Sequence, residues 1–129
     1  VAGPPLVVVT SNAERRLPDA FLRRCIVHHI ELTPALLMDA VRAHFGGADG
    51  TLPDLAPGLA EAAVDRLLAI REETRLSRFP ATAELLAWLV ILAGLGVEAE
   101  ALRDVAPGNL PAVGALVKDH EDLDLLRRG

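Results

Sequence analysis

The run Leu6-Val7-Val8-Val9 constrains this chain more than any other feature. Four consecutive apolar residues, three of them β-branched, read as a strand covered on both faces, as inside a parallel sheet. Residues 25–30 form a second β-like run. The link between the two has about the dozen or more residues that a parallel crossover needs. Two strands alone do not make a stable sheet, and nothing after Glu31 reads as a strand. The missing strands are therefore expected before Val1. Because the sequence opens on Val rather than Met, the chain is expected to be the C-terminal part of a longer α/β protein.

The rest reads as helix. Residues 18–24 suit a short helix, with Pro18 at its first turn and Asp19 near its positive end. Thr33 is an N-cap candidate followed by Pro34. Leu36, Leu37, Ala40, Val41, His44 and Phe45 then form one stripe at helical spacing, closed by Gly46-Gly47. After a Gly/Pro/Asp-rich loop over 46–57, a second helix is expected over about 58–73. A third, over about 81–95, is apolar nearly all round and should be central, with Trp88 in the core. A short helix near 98–104, a turn at Pro107-Gly108 and a helix from about Asn109 follow. The last carries Leu110, Val113, Leu116 and Val117 on its face. The tail HEDLDLLRRG reads as a solvated helix end, or as a contact with a neighbouring subunit or partner. The expected fold is thus an α/β fragment, two parallel strands, followed by an all-α part, mostly α overall. The expected domains are 1–32 and 33–129.

Composition narrows the class. Hydrophobic residues make up 51% and mean hydropathy is +0.32, enough for a core. A net charge of -5 and a pI near 5.3 argue against nonspecific nucleic-acid binding over the whole surface. The single cysteine, Cys25, excludes an internal disulfide, fits a reducing cytoplasmic setting and is expected as a buried strand thiol. The apolar run 85–95 is too short to span a bilayer, which needs about 20 residues, so no membrane partner is expected. There is no GxxxxGK[ST] and no GxGxxG, hence no phosphate-cradling loop, and no Cys/His cluster with zinc spacing. His28 and His29 would point to opposite faces of a strand and not share a metal. No metal ligand is assigned.

Two features carry chemistry. Thr10-Ser11-Asn12 follows the first expected strand, and ligands in open α/β sheets sit at the carboxyl ends of strands. The plainer alternative is a turn. Arg23 and Arg24 end the short helix. They either complement its dipole or neutralise charge on a transferring phosphoryl group, for which an always-charged, fork-shaped guanidinium is suited. Arg15 and Arg16 read as surface residues.

The stretch PLVVVTSNAERRLPDAFLRRCIVHHIEL resembles the second half of a AAA+ ATPase core, and within that class the MoxR-like group. There a strand ends in a polar sensor 1 residue, a helix of the form LP-[DE]-A-x-L follows, and an arginine finger precedes the last core strand. LPDAFLRRC fits this pattern, and its RC pair also resembles the arginine-cysteine motif of clamp loaders. PATAELLAWL, residues 80–89, is similar to lid helices of the same group. The resemblance places Asn12 at sensor 1 and Arg24 at the finger, with Arg23 able to share that role. The helices after 33 would be the lid. Ala81 aligns with the family's sensor 2 arginine, so either Arg78, three residues earlier, takes that role or sensor 2 is missing.

What the resemblance implies is a parent that uses ATP and Mg to remodel or assemble a partner protein. The nucleotide loop and the Mg-binding acidic strand, which the family keeps upstream, are not in this sequence. The chain alone is therefore expected neither to bind ATP tightly nor to hydrolyse it. Implied partners are the upstream core half, copies of itself in a ring, expected as a hexamer, and a protein with a von Willebrand factor A domain. A clamp-loader-like ATPase and a non-enzymatic helical interaction module are the alternatives.

Overall fold

The computed structural model describes residues 3–11, 17–45, 53–73 and 75–129, which fall into two units, Val1–Ile30 and Glu31–Gly129. Among its described residues the first unit holds one short helix, α1 (Asp19–Leu22). Pro18 precedes it with an extended backbone, and the amides of Phe21 and Leu22 both donate to the Pro18 carbonyl.

The expected fold class is corrected here. Residues 6–10 and 25–30 are not strands, and no strand or sheet occurs among the described residues. Both runs are irregular and open to water: Leu6 is 92% exposed and Val8 77%. The physical reason is that β-branched composition favours a pleated chain only when a neighbouring strand takes up its backbone N–H and C=O groups. Neither run supplies a ladder to the other. Cys25, expected as a buried thiol, is exposed, and His28 and His29 are exposed on irregular chain rather than on a strand.

The described residues of the second unit form helices, turns and irregular connections. α2 (Pro34–Phe45) starts where local chemistry directs it. The Thr33 hydroxyl accepts the Leu36 amide at 3.2 Å, satisfying one of the donors a helix start leaves open. α3 (Leu59–Arg71) buries Leu59, Ala63, Val64, Leu67 and Ile70, spaced so that they line one side. α4 (Thr82–Gly94) buries Leu85, Trp88, Leu89 and Leu92. It ends in a full Schellman motif: Val97 N–H donates to the Leu92 carbonyl and Gly96 N–H to that of Ala93. Gly96 has φ 69° there, a left-handed conformation that glycine adopts without steric cost. α2 packs on α3 and α4, and α3 on α4, so the core lies among the three. Fully burying a leucine or valine side chain there contributes roughly 1.5–3 kcal/mol.

The C-terminal part departs from the expected single helix starting near Asn109. Instead, 3-10 turns at Ala99–Leu102, Pro107–Asn109 and Val113–Ala115 lead into α5 (His120–Arg128). Pro111 explains this. It lacks an N–H and its ring clashes with the preceding turn of an α-helix. It also drives Leu110 to φ -60°, ψ 141°, outside the helical region. Ala112 then turns the chain at φ 52°, which for an alanine costs about 1–2 kcal/mol. That cost is offset by what the turn places. Trp88 Nε1 donates to the Pro111 carbonyl at 2.7 Å, and Val113, Leu116 and Val117 enter the core.

α5 docks on the turn at Pro107–Asn109 through glycine. A Cβ on Gly108 would lie 2.7 Å from both the N and Cα of Arg127, closer than carbon atoms approach without displacement. Gly108→Ala is therefore expected to lower stability by about 1–3 kcal/mol, the usual cost of overpacking, read from the urea midpoint. Gly114→Ala, where a Cβ meets open space, is expected to stay within about 0.5 kcal/mol of wild type.

Candidate functional site

The segment joining α3 to α4 is fixed at nearly every step. Arg71, the last residue of α3, donates from Nη1 to the Pro80 carbonyl at 2.8 Å, and its guanidinium carbon lies 5.8 Å from the Phe79 ring centroid. This geometry suits a cation–π contact. Glu73 accepts the Arg75 amide at 3.1 Å and its guanidinium twice at 2.8 Å. The Arg75 hydrogen bonds pull the Glu73 carboxyl down to about 2, and that carboxylate in turn raises Arg75. At the far end the Ala81 amide donates to Glu84 Oε2 at 2.9 Å, the half of a capping box that an alanine N-cap permits.

The centre of the segment is held by α5. Asp122 is 2% exposed and is the buried charged residue of the described chain. Its Oδ1 accepts the Ser77 amide at 2.8 Å. Its Oδ2 accepts the Ser77 hydroxyl at 2.9 Å and the Arg78 amide at 3.0 Å. Burial pushes the Asp122 carboxyl up, but the hydrogen bonds from Ser77 and Arg78 and the charge of Arg78 outweigh it and hold it below the ordinary aspartate range. Asp119 supports this from the helix start, accepting the amides of Glu121 and Asp122 as N-cap.

Arg78 is thus bound by its backbone and exposed by its side chain, and its guanidinium makes no hydrogen bond or ion pair to a described residue. Of the other residues singled out by sequence, Arg23 and Arg24 sit side by side at the end of α1, both exposed. Their amides donate to the carbonyls of Asp19 and Phe21. Asn12, Arg15 and Arg16 lie outside the described residues. Arg23 and Arg24 belong to the first unit and Arg78 to the second. Sequence reading missed Asp122. One signal for it exists: it lies four residues before the buried Leu126, so a carboxylate occupies the apolar stripe of α5.

Among the described residues no group of three His, Cys, Asp or Glu is placed to hold a metal ion. A depression of about 430 Å³ lined by Gly108, Asn109, Leu110, Ala112, Val113, Gly114 and Arg127 offers one charged group and no general base. Among the described residues no helix is long and apolar enough to cross a membrane. Comparison with known proteins names no relative: no family model, no curated protein and no solved structure matches the chain.

The lowered Asp122 pKa sets an acid dependence. Its stabilisation is fully present above the unfolded aspartate value of about 3.9. It is lost as pH falls through the lower folded value. Asp122→Ala, which leaves two amides and a hydroxyl without their acceptor, is expected to cost about 1–3 kcal/mol at neutral pH. Thermal melts from pH 7 to pH 2 are expected to show the gap between variant and wild type closing below about pH 4.

Proposed function

We propose that this chain is the C-terminal segment of a MoxR-like AAA+ ATPase, coupling ATP binding and hydrolysis to the remodelling or assembly of a partner protein. The observation that carries the reading is the stretch TSNAERRLPDAFLRRC, in which a polar triplet, a short LPDAFL helix and paired arginines follow in the family's order. Two structural features support it. Arg23 and Arg24 are exposed at the end of α1, where an arginine acting on a neighbouring subunit's nucleotide must be. The helices after Glu31 form a compact unit of their own, which carries Arg78 on a segment held by Asp122.

In this reading Asn12 orients the attacking water or the γ-phosphate. Arg24, with Arg23 beside it, stabilises charge on the transferring phosphoryl group of the next subunit. A finger supplied in trans requires a head-to-tail contact between copies, the kind that closes into a ring. Arg78 contacts the nucleotide from the helical unit, which acts as a lid whose position follows nucleotide state. Magnesium belongs with the parent's nucleotide half, and the reading extends to a partner with a von Willebrand factor A domain.

A second reading, a non-enzymatic helical interaction module, draws on α4, whose outer face leaves Val90, Ile91 and the following Leu95 exposed. ATPase assays on the full-length protein separate the two. Arg24→Ala is expected to lower kcat roughly 10³-fold or more. Mixing it with a variant defective in its own nucleotide site is expected to restore part of the rate, because each supplies what the other lacks. A full-length protein that neither binds nor hydrolyses ATP supports the interaction module instead.

A further inference from the structure

Asp122 is an expensive residue where it stands. A carboxylate on the apolar stripe of α5, next to Leu126, is removed from water, and an apolar residue of similar size would fill the place at no electrostatic cost. All three of the Ser77 and Arg78 hydrogen bonds it accepts come from the segment between α3 and α4, 44 and 45 residues earlier in the chain. Two consecutive amides aimed at the two oxygens of one carboxylate fix the peptide planes on both sides of Ser77. Arg71 fixes the next two residues through the Phe79 ring and the Pro80 carbonyl. Arg78 stands between these two anchors. Its backbone amide is held by Asp122, while its side chain is exposed.

We infer that Asp122 is a positioning residue for Arg78, holding that arginine's backbone in place before its guanidinium meets a nucleotide phosphate; this rests on the AAA+ reading. Ordering one residue's backbone costs about 1–2 kcal/mol. With Asp122 in place that ordering is done on folding, and the phosphate contact does not have to supply it. Asp122 touches no substrate and acts only through Arg78.

The substitution Asp122→Asn separates aiming from folding. An asparagine keeps an acceptor for the Ser77 amide but turns an NH2 toward the two donors on Oδ2; the Ser77 hydroxyl can rotate to accept from that NH2, whereas the Arg78 amide loses its bond. ATPase kcat/KM is measured on the full-length protein for wild type, Arg78→Ala, Asp122→Asn and the double variant. Val64→Ala, a core change in α3, serves as a control for lost stability. Arg78→Ala is expected to lower kcat/KM about 10-fold or more, the worth of a hydrogen bond to a charged group. Asp122→Asn is expected to lower it nearly as much. The double variant is expected to fall within about twofold of Arg78→Ala, because both changes remove one interaction. Val64→Ala is expected to keep the wild-type rate despite a lower melting temperature.

The inference is overturned if Asp122→Asn keeps the wild-type rate while Arg78→Ala does not, if the two losses multiply, or if Val64→Ala loses activity in parallel with its stability. An active wild type that Arg78→Ala leaves unchanged overturns it while the ATPase reading stands. A wild type that neither binds nor hydrolyses ATP overturns that reading and this inference together, recognised because the unaltered protein fails. Should Asp122→Asn not fold, Asp122→Glu, which keeps the charge and displaces the carboxylate by one methylene, takes its place with the same expectations.

Discussion

The carboxylate of Asp122 ties the last helix of the chain to the segment between α3 and α4, and the ends of the helical unit depend on that tie. Without that acceptor, the amides of Ser77 and Arg78 and the Ser77 hydroxyl would lose the three hydrogen bonds that hold the segment to α5. α5 has few other anchors. Leu126 reaches the core, and the backbone at Arg127 rests on Gly108 with no room for a methyl group. The core itself is built by α2, α3 and α4 around Trp88, whose indole N–H is satisfied by Pro111. One polar bond thus fixes the turn after Leu110 and one buried charge fixes the helix after it, while apolar burial supplies the bulk of the stability.

The two units differ in how they are satisfied. The helical unit buries its large apolar residues except at a few places such as Val90, Ile91 and Leu95. The first unit leaves Leu6, Val7, Val8, Val9, Ile26 and Ile30 in water. That unit also carries the stretch on which the ATPase proposal rests, so its apolar runs and its paired arginines are bound to one question.

Much of the helical unit is legible in sequence because its signals are local. Thr33 before Pro34 marks a helix start by side-chain chemistry alone, and the apolar density of 85–95 marks the helix that holds Trp88. Two failures have definite causes. The run at 6–9 carries strand composition, but composition does not supply the ladder, so the expectation of two parallel strands does not hold. Pro111 stands inside the expected helix from Asn109, and the spacing of Leu110, Val113, Leu116 and Val117 masks its effect. Of the candidate site, Arg78 is visible as a charge near an aligned position, whereas its support is not. Asp122 is 44 residues away, inside a tail whose clustered acids read as a solvated end. Only the three-dimensional structure shows that one of those acids faces inward.

The most direct test of the account is the position of the Arg78 guanidinium in the full-length protein bound to a non-hydrolysable ATP analogue, determined structurally. The account predicts a guanidinium nitrogen within about 2.7–3.2 Å of a phosphate oxygen, with the Asp122 bonds to Ser77 and Arg78 intact. A bound nucleotide with Arg78 pointing into solvent, or reached only after the Asp122 bonds have broken, would contradict it.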